Sequence, residues 1–125
     1  MTEEVKGYIA KAEHALQVAE ELMKKGYAPD AASKIYYSMF YAAQALLKSE
    51  GIDVLKHSAV ESALGYYFAK PGKIDPKFHK MLIGARKIRE IADYDIQEEI
   101  VDPVASLKVE EGKEFLSEVK TFLGL

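Results

Sequence analysis

A chain of 125 residues, 49% apolar and 30% charged, has the length and composition of one globular domain with its own core, spanning 1–125. It has no cysteine, which excludes disulfides, thiolate metal sites and a cysteine nucleophile, and no apolar run near the ~18 residues a membrane span needs. Its net charge is −3, and the acidic opening Met1-Thr2-Glu3-Glu4 is unlike a signal peptide, so the expected location is the cytoplasm, with no membrane partner.

Thr2 is placed to cap a first helix, with Glu3 and Glu4 facing its dipole. The apolar stripe Val5, Tyr8/Ile9, Ala12, Ala15/Leu16, Ala19 and Leu22/Met23 has helical spacing, and Gly26 ends it. His14 lies off this stripe and reads as solvated. Pro29 and Asp30 open a second helix that Gly51 closes. Its stripe is Ala32, Ile35/Tyr36, Met39, Ala42/Ala43 and Leu46/Leu47, with Tyr37, Phe40 and Tyr41 adding apolar mass elsewhere. Only Lys34, Ser38, Gln44 and Lys48 are left for solvent in the middle of it. A helix so apolar all round is central or lies in a subunit interface.

Ser58-Ala-Val-Glu61 fits a capping box for a third helix, which Pro71-Gly72 breaks. Asp75-Pro76 pairs an N-cap with proline at N1 and predicts a fourth helix to about Tyr94. The stretch from Asp95 to Ala105 loses periodicity, contains Pro103 and reads as a loop. Ser106 is then the expected cap of a last helix with Phe115/Leu116, Val119 and Phe122/Leu123 inward. No strand alternation occurs. The expected fold is all-α, an up-and-down bundle of four to five helices.

Charge is distributed in blocks. Residues 70–89 hold seven basic side chains against Asp75 alone, and residues 90–125 hold three basic against ten acidic. Such blocks are either solvated faces that attract each other within the fold or a basic strip for phosphates or an acidic partner.

The fourth helix concentrates the chemistry. At about 100° per residue, Phe78, Met81, Leu82, Ala85, Ile88 and Ala92 share one face, and Arg89 falls inside it. Asp93 and Arg86 flank that face on one edge, with His79 just beyond. An inward arginine is costly unless paired, and Asp93 at i+4 is the natural partner. Tyr94 can add a phenolic hydroxyl. Spacing leaves two readings open: a structural Arg–Asp pair, or an arginine held in a cleft to grip phosphate with its planar fork. Lys56-His57, before the third helix, is either an anion site at a helix N-terminus or plain loop surface. The histidines at 14, 57 and 79 lack metal-ligand spacing, so neither metal nor cofactor is expected.

Several stretches resemble HEPN-domain proteins (higher eukaryote and prokaryote nucleotide-binding). They are the run Ala32-Ser-Lys-Ile-Tyr-Tyr-Ser-Met-Phe-Tyr-Ala-Ala-Gln-Ala-Leu-Leu47, Lys56-His57 with the helix after it, the turn Phe68-Ala-Lys-Pro-Gly-Lys-Ile-Asp75, and Arg89-Glu-Ile-Ala-Asp-Tyr94. The resemblance implies a four- or five-helix bundle, usually a homodimer with a cleft at the interface, and often the toxin partner of a small nucleotidyltransferase. Active members are metal-independent ribonucleases with an arginine followed closely by a histidine. Arg89 matches that arginine, but positions 94 to 96 hold Tyr94, Asp95 and Ile96. His79 lies upstream, roughly 15 Å along the axis at about 1.5 Å per residue, so it is no substitute within one chain. Tyrosine, with a reference pKa near ~10, moves protons poorly at neutral pH.

The leading expectation is therefore a nucleotide- or phosphate-binding module using Arg86, Arg89, His79, Lys56 and His57, partnered by a nucleotidyltransferase. The alternatives are a ribonuclease using Arg89 with Asp93 and Tyr94 on an RNA substrate, and a structural bundle with no ligand.

Overall fold

The structure is a computed structural model that describes residues 1–125. It is all-α: α1 (Glu3–Lys24), α2 (Ala28–Ser49), α3 (His57–Leu64) running on into a π-helical turn (Gly65–Ala69), α4 (Pro76–Tyr94) and α5 (Asp102–Phe122). No helix is long and apolar enough to cross a membrane.

Local chemistry sets most of these ends. The Thr2 hydroxyl accepts the Val5 N–H at 3.2 Å, and Gly26, at φ 82°, takes the left-handed turn that stops α1. The Asp75 carboxylate accepts the Lys77 N–H at 2.9 Å and starts α4, with Pro76 next. Two starts differ from expectation. The capping box on Ser58 does not form: α3 begins at His57, behind Lys56, which offers no side-chain cap. Glu61, its expected second member, is drawn instead to Arg86 of α4, which donates Nε–H to it at 2.8 Å. An ionic hydrogen bond of that kind outweighs a neutral cap. The last helix starts at Asp102, one turn before Ser106, with Pro103 inside its first turn. There the missing N–H of proline would have had no helical partner anyway.

Helix α2 occupies the centre, touched by all four other helices. Its buried set, including Ile35, Tyr36, Met39, Leu46 and Leu47, is the middle of the core. On α1 the buried residues are Val5, Ile9, Ala12, Ala15 and Ala19, and the alanines let the two backbones come close. That closeness corrects the reading of Ser38 and Gln44 as solvent-facing, because both are buried. Ser38 stays inside by donating its hydroxyl to the Ala12 carbonyl oxygen at 2.7 Å. On the opposite flank α5 crosses α2 at Gly112, where an added Cβ would run into the side chain of Ile35. Helix α4 packs along its whole length, its second half through Ile88, Ile91 and Ala92 on Ala28, Ala32, Ile100 and Ala105, and only an edge of that half, Arg86, Arg89 and Glu90, faces a cleft.

Candidate functional site

Arg89 lies at the open end of α4, its side chain 17% exposed. Its guanidinium carbon is 5.6 Å from the Tyr36 ring centre, 5.4 Å from Tyr37 and 5.7 Å from Tyr94, so aromatic faces replace much of its water. Nη2 donates to the Tyr37 hydroxyl at 2.8 Å, and this bond above all raises the pKa and keeps the cation charged against the cost of burial. Nε stands 3.2 Å from Asp93 Oδ2, but its N–H is misdirected, and this buried group has no hydrogen-bond acceptor. The Arg89–Asp93 pair is therefore electrostatic contact without a proper bond. Asp93 Oδ2 meanwhile accepts the Ser33 hydroxyl at 3.2 Å. Nη1 bonds to nothing in the chain and is not sealed from solvent.

Beside this guanidinium is a cleft of about 610 Å³, walled by Tyr36 of α2, His57, Ser58 and Glu61 of α3, and Arg86, Arg89 and Glu90 of α4. Arg86 is bound on two sides, giving Nε–H to Glu61 at 2.8 Å and Nη1–H to Glu90 at 3.0 Å. His57 is stacked on Phe40 with centroids 4.1 Å apart and planes 13° apart, and its Nδ1 is 2.7 Å from the Tyr36 hydroxyl. Burial first, and then the charge of Arg89, lower the His57 pKa from its ordinary 6.5. Tyr36, only 2% exposed, is pushed up to about 12 by burial.

The fold thus gathers Arg86, Arg89 and His57 at one cleft, with Asp93 and Tyr94 at its edge. Tyr94 contributes its ring face to Arg89 and is otherwise 71% exposed. His79 is elsewhere: its Nε2 sits 2.9 Å from the Glu61 carbonyl oxygen, and its ring fills the space over Gly65. Lys56 is exposed and lines no part of the cleft. Within the basic block, Lys73 meets Glu50 at 2.7 Å and Lys77 meets Glu114 at 2.6 Å, so much of that charge is answered inside the fold. Sequence reasoning missed Tyr36, Tyr37, Ser58, Glu61 and Glu90 as parts of the site. The Arg86–Glu90 pair was visible as an i,i+4 spacing. The Tyr37–Arg89 bond spans 52 positions and left no local signal.

An all-α bundle with a tyrosine-boxed arginine beside a polar cleft defines the class. The chain matches the HEPN domain over residues 5–125 and belongs to that family. A candidate toxin of Methanocaldococcus jannaschii is 35% identical over 120 residues, covering 96% of this chain and 82% of the relative. A UPF0332 protein of Pyrococcus horikoshii is 35% identical over 105 residues, 84% of this chain and 74% of the relative. A second candidate toxin of Methanocaldococcus jannaschii is 28% identical over 121 residues, 97% of this chain and 90% of the relative.

Proposed function

We propose that the protein is a toxin-like HEPN module whose Arg89 cleft holds a phosphate group of a nucleotide or RNA. The names of two relatives support the toxin-like part. One observation carries the binding part: Arg89 is fixed by Tyr37 and three aromatic faces while Nη1 keeps free donors at the cleft. A guanidinium used only for packing would have its donors engaged. The cleft is not a basin of positive charge, because Glu61 and Glu90 face Arg86 and Asp93 flanks Arg89. Recognition there depends on directed hydrogen bonds.

A nucleotidyltransferase partner and a homodimer complete the proposal. Apart from the half-buried Tyr37 and Tyr41, the apolar residues of α2 are covered by its own chain, and we assign the pairing surface to the α4 side, where Tyr94 and Ile96 are 71% and 98% exposed. Sedimentation as a single 14.0 kDa species at working concentration would count against pairing.

The direct test titrates AMP, ATP and single-stranded oligouridylate into the wild type and Arg89→Ala, at several salt concentrations. The mutant is expected to lose binding at least about tenfold, with a salt slope smaller by about 1. Equal affinity in the two proteins would end the reading. A second reading, metal-independent RNA cleavage, is favoured by the presence of a histidine, His57, in the same cleft as Arg89. RNA breakdown that persists in chelator and vanishes in Arg89→Ala would support it.

A further inference from the structure

The histidine that the sequence does not supply after Arg89 arrives from α3, and its protonation is constrained by a neighbour. Nδ1 of His57 and the Tyr36 hydroxyl are 2.7 Å apart, and one hydrogen lies between them. If Nδ1 carried that hydrogen, the phenolic hydrogen of Tyr36 would need another acceptor. The chain offers none, and Tyr36 is 2% exposed. If Tyr36 donates, no buried group is left without a partner: the phenol gives its hydrogen to Nδ1, and the imidazole carries its own on Nε2. Nε2 has no partner in the chain and is not sealed from solvent.

We infer that His57 faces the Arg89 cleft as a neutral imidazole with a free Nε2–H donor, its tautomer fixed by the Tyr36 hydroxyl, and that a phosphoryl oxygen held by Arg89 accepts this hydrogen. The second half of this inference rests on the phosphate reading above, and the tautomer does not. Tyr36 is then a positioning residue.

The surrounding charges agree. From α2, Tyr36 and Tyr37 face the ring as neutral phenols, and Phe40 stacks on it. From α3 comes Glu61, and from α4 come Arg86, Arg89 and Glu90. The two carboxylates would favour an imidazolium, but both are bonded to Arg86. Arg89, whose contact with Asp93 is misaligned, opposes it. A neutral donor adds a directed bond without adding charge, so the contact persists as pH rises above the range where an imidazolium would discharge.

Long-range nitrogen–proton NMR of histidine in the ¹⁵N-labelled full chain reads the tautomer without any ligand. The expected spectrum shows His57 with a bare Nδ1, a protonated Nε2 and a midpoint below ~6.5. An Nδ1–H tautomer, or a midpoint above that value, overturns the assignment. Tyr36→Phe, nearly isosteric, should unlock the tautomer and move the midpoint upward while circular dichroism stays helical. Binding of single-stranded oligouridylate supplies the second arm. His57→Gln retains a neutral N–H and should bind within about threefold of wild type, whereas His57→Phe should lose about tenfold. Equal affinity for His57→Phe and wild type overturns the donor role. So does wild-type affinity that climbs as pH falls through about 6 and is lost in His57→Gln. If the wild type binds no oligouridylate, the phosphate reading fails, and the tautomer is still decided by the NMR of the free protein.

Discussion

In the first half of α4, Phe78 meets Phe115 edge-on at 6.1 Å, Lys77 reaches Glu114, and His79 closes over Gly65 with its Nε2 at the Glu61 carbonyl. In the second half, Arg89 keeps a buried Nε–H with no acceptor and an Nη1 with no partner, and His57 opposite it keeps a free Nε2. Both halves are basic and carry apolar residues on their inner face. What differs is the neighbour. The first half lies against α5 and the π-helical turn on its polar flank as well, whereas the second packs only its apolar residues Ile88, Ile91 and Ala92, on Ala28, Ala32, Ile100 and Ala105, and turns its polar edge to an open cleft with short α3 across it. Close neighbours use up polar groups. Where they end, donors are left over for something else, and buried donors without partners in a native chain call for an explanation of that kind.

The comparison is broken if mutations in the two halves act on the same observable. The largest expected effect is Phe78→Ala, which should cost about 3–5 kcal/mol in chemical denaturation because it empties a core position. Oligonucleotide affinity of the fraction that remains folded should not move. Gly65→Ala comes next. Its Cβ would stand 2.6 Å from His79 Cε1, so the ring must turn and give up its bond to the Glu61 carbonyl. A loss of about 1–3 kcal/mol is expected, read as a lower urea midpoint with an unchanged slope. Arg89→Ala should be milder for stability, about 1–2 kcal/mol for its stacking and ion contacts, because Asp93 at 31% exposure stays hydrated. A loss above about 3 kcal/mol with no change in ligand affinity would make Arg89 a packing device and erase the difference between the halves.

Legibility followed the range of the interaction. The caps at Thr2 and Asp75, the stop at Gly26, the α1 and α2 stripes and the inward direction of Arg89 all depend on residues within a turn or two, and periodicity exposed them. The misplaced start of α3 shows the limit: Ser58 and Glu61 have the spacing of a capping box, and only the distant Arg86 reveals why Glu61 is otherwise engaged. Pro103 misled for a different reason, since proline ends helices in their interior but is at home in their first turn. At the site, Arg89–Asp93 was legible as an i,i+4 pair, yet its misalignment was not. The approach of His57 to Arg89 depends on where α3 is set against α2, which no local spacing encodes. Had Lys56-His57 been read together with Tyr36 on the α2 core stripe, the two would still have been separate facts.

The smallest effect is also the most specific to the cleft. His57 titrates below its ordinary 6.5 in the folded chain, first through burial and then through Arg89, while the unfolded chain leaves it near that value. At acid pH the unfolded state therefore binds the extra proton more readily, so acid favours unfolding. The stability gained from a neutral His57 is complete above about pH 6.5 and is lost as pH falls through the lower folded value. Thermal melting should accordingly drop between about pH 6.5 and pH 5 by more in wild type than in His57→Gln, which has nothing to titrate there. Asp95 does not confuse the measurement. Its carboxylate is lowered from 3.8 by the Glu98 and then the Gln97 backbone N–H groups, so its loss falls further into acid. A difference in melting temperature that stayed constant from about pH 7 to pH 5 would mean that His57 titrates alike folded and unfolded. Burial and the charge of Arg89 would then have no hold on its protonation, and the second half of α4 would face a histidine that titrates like a surface one.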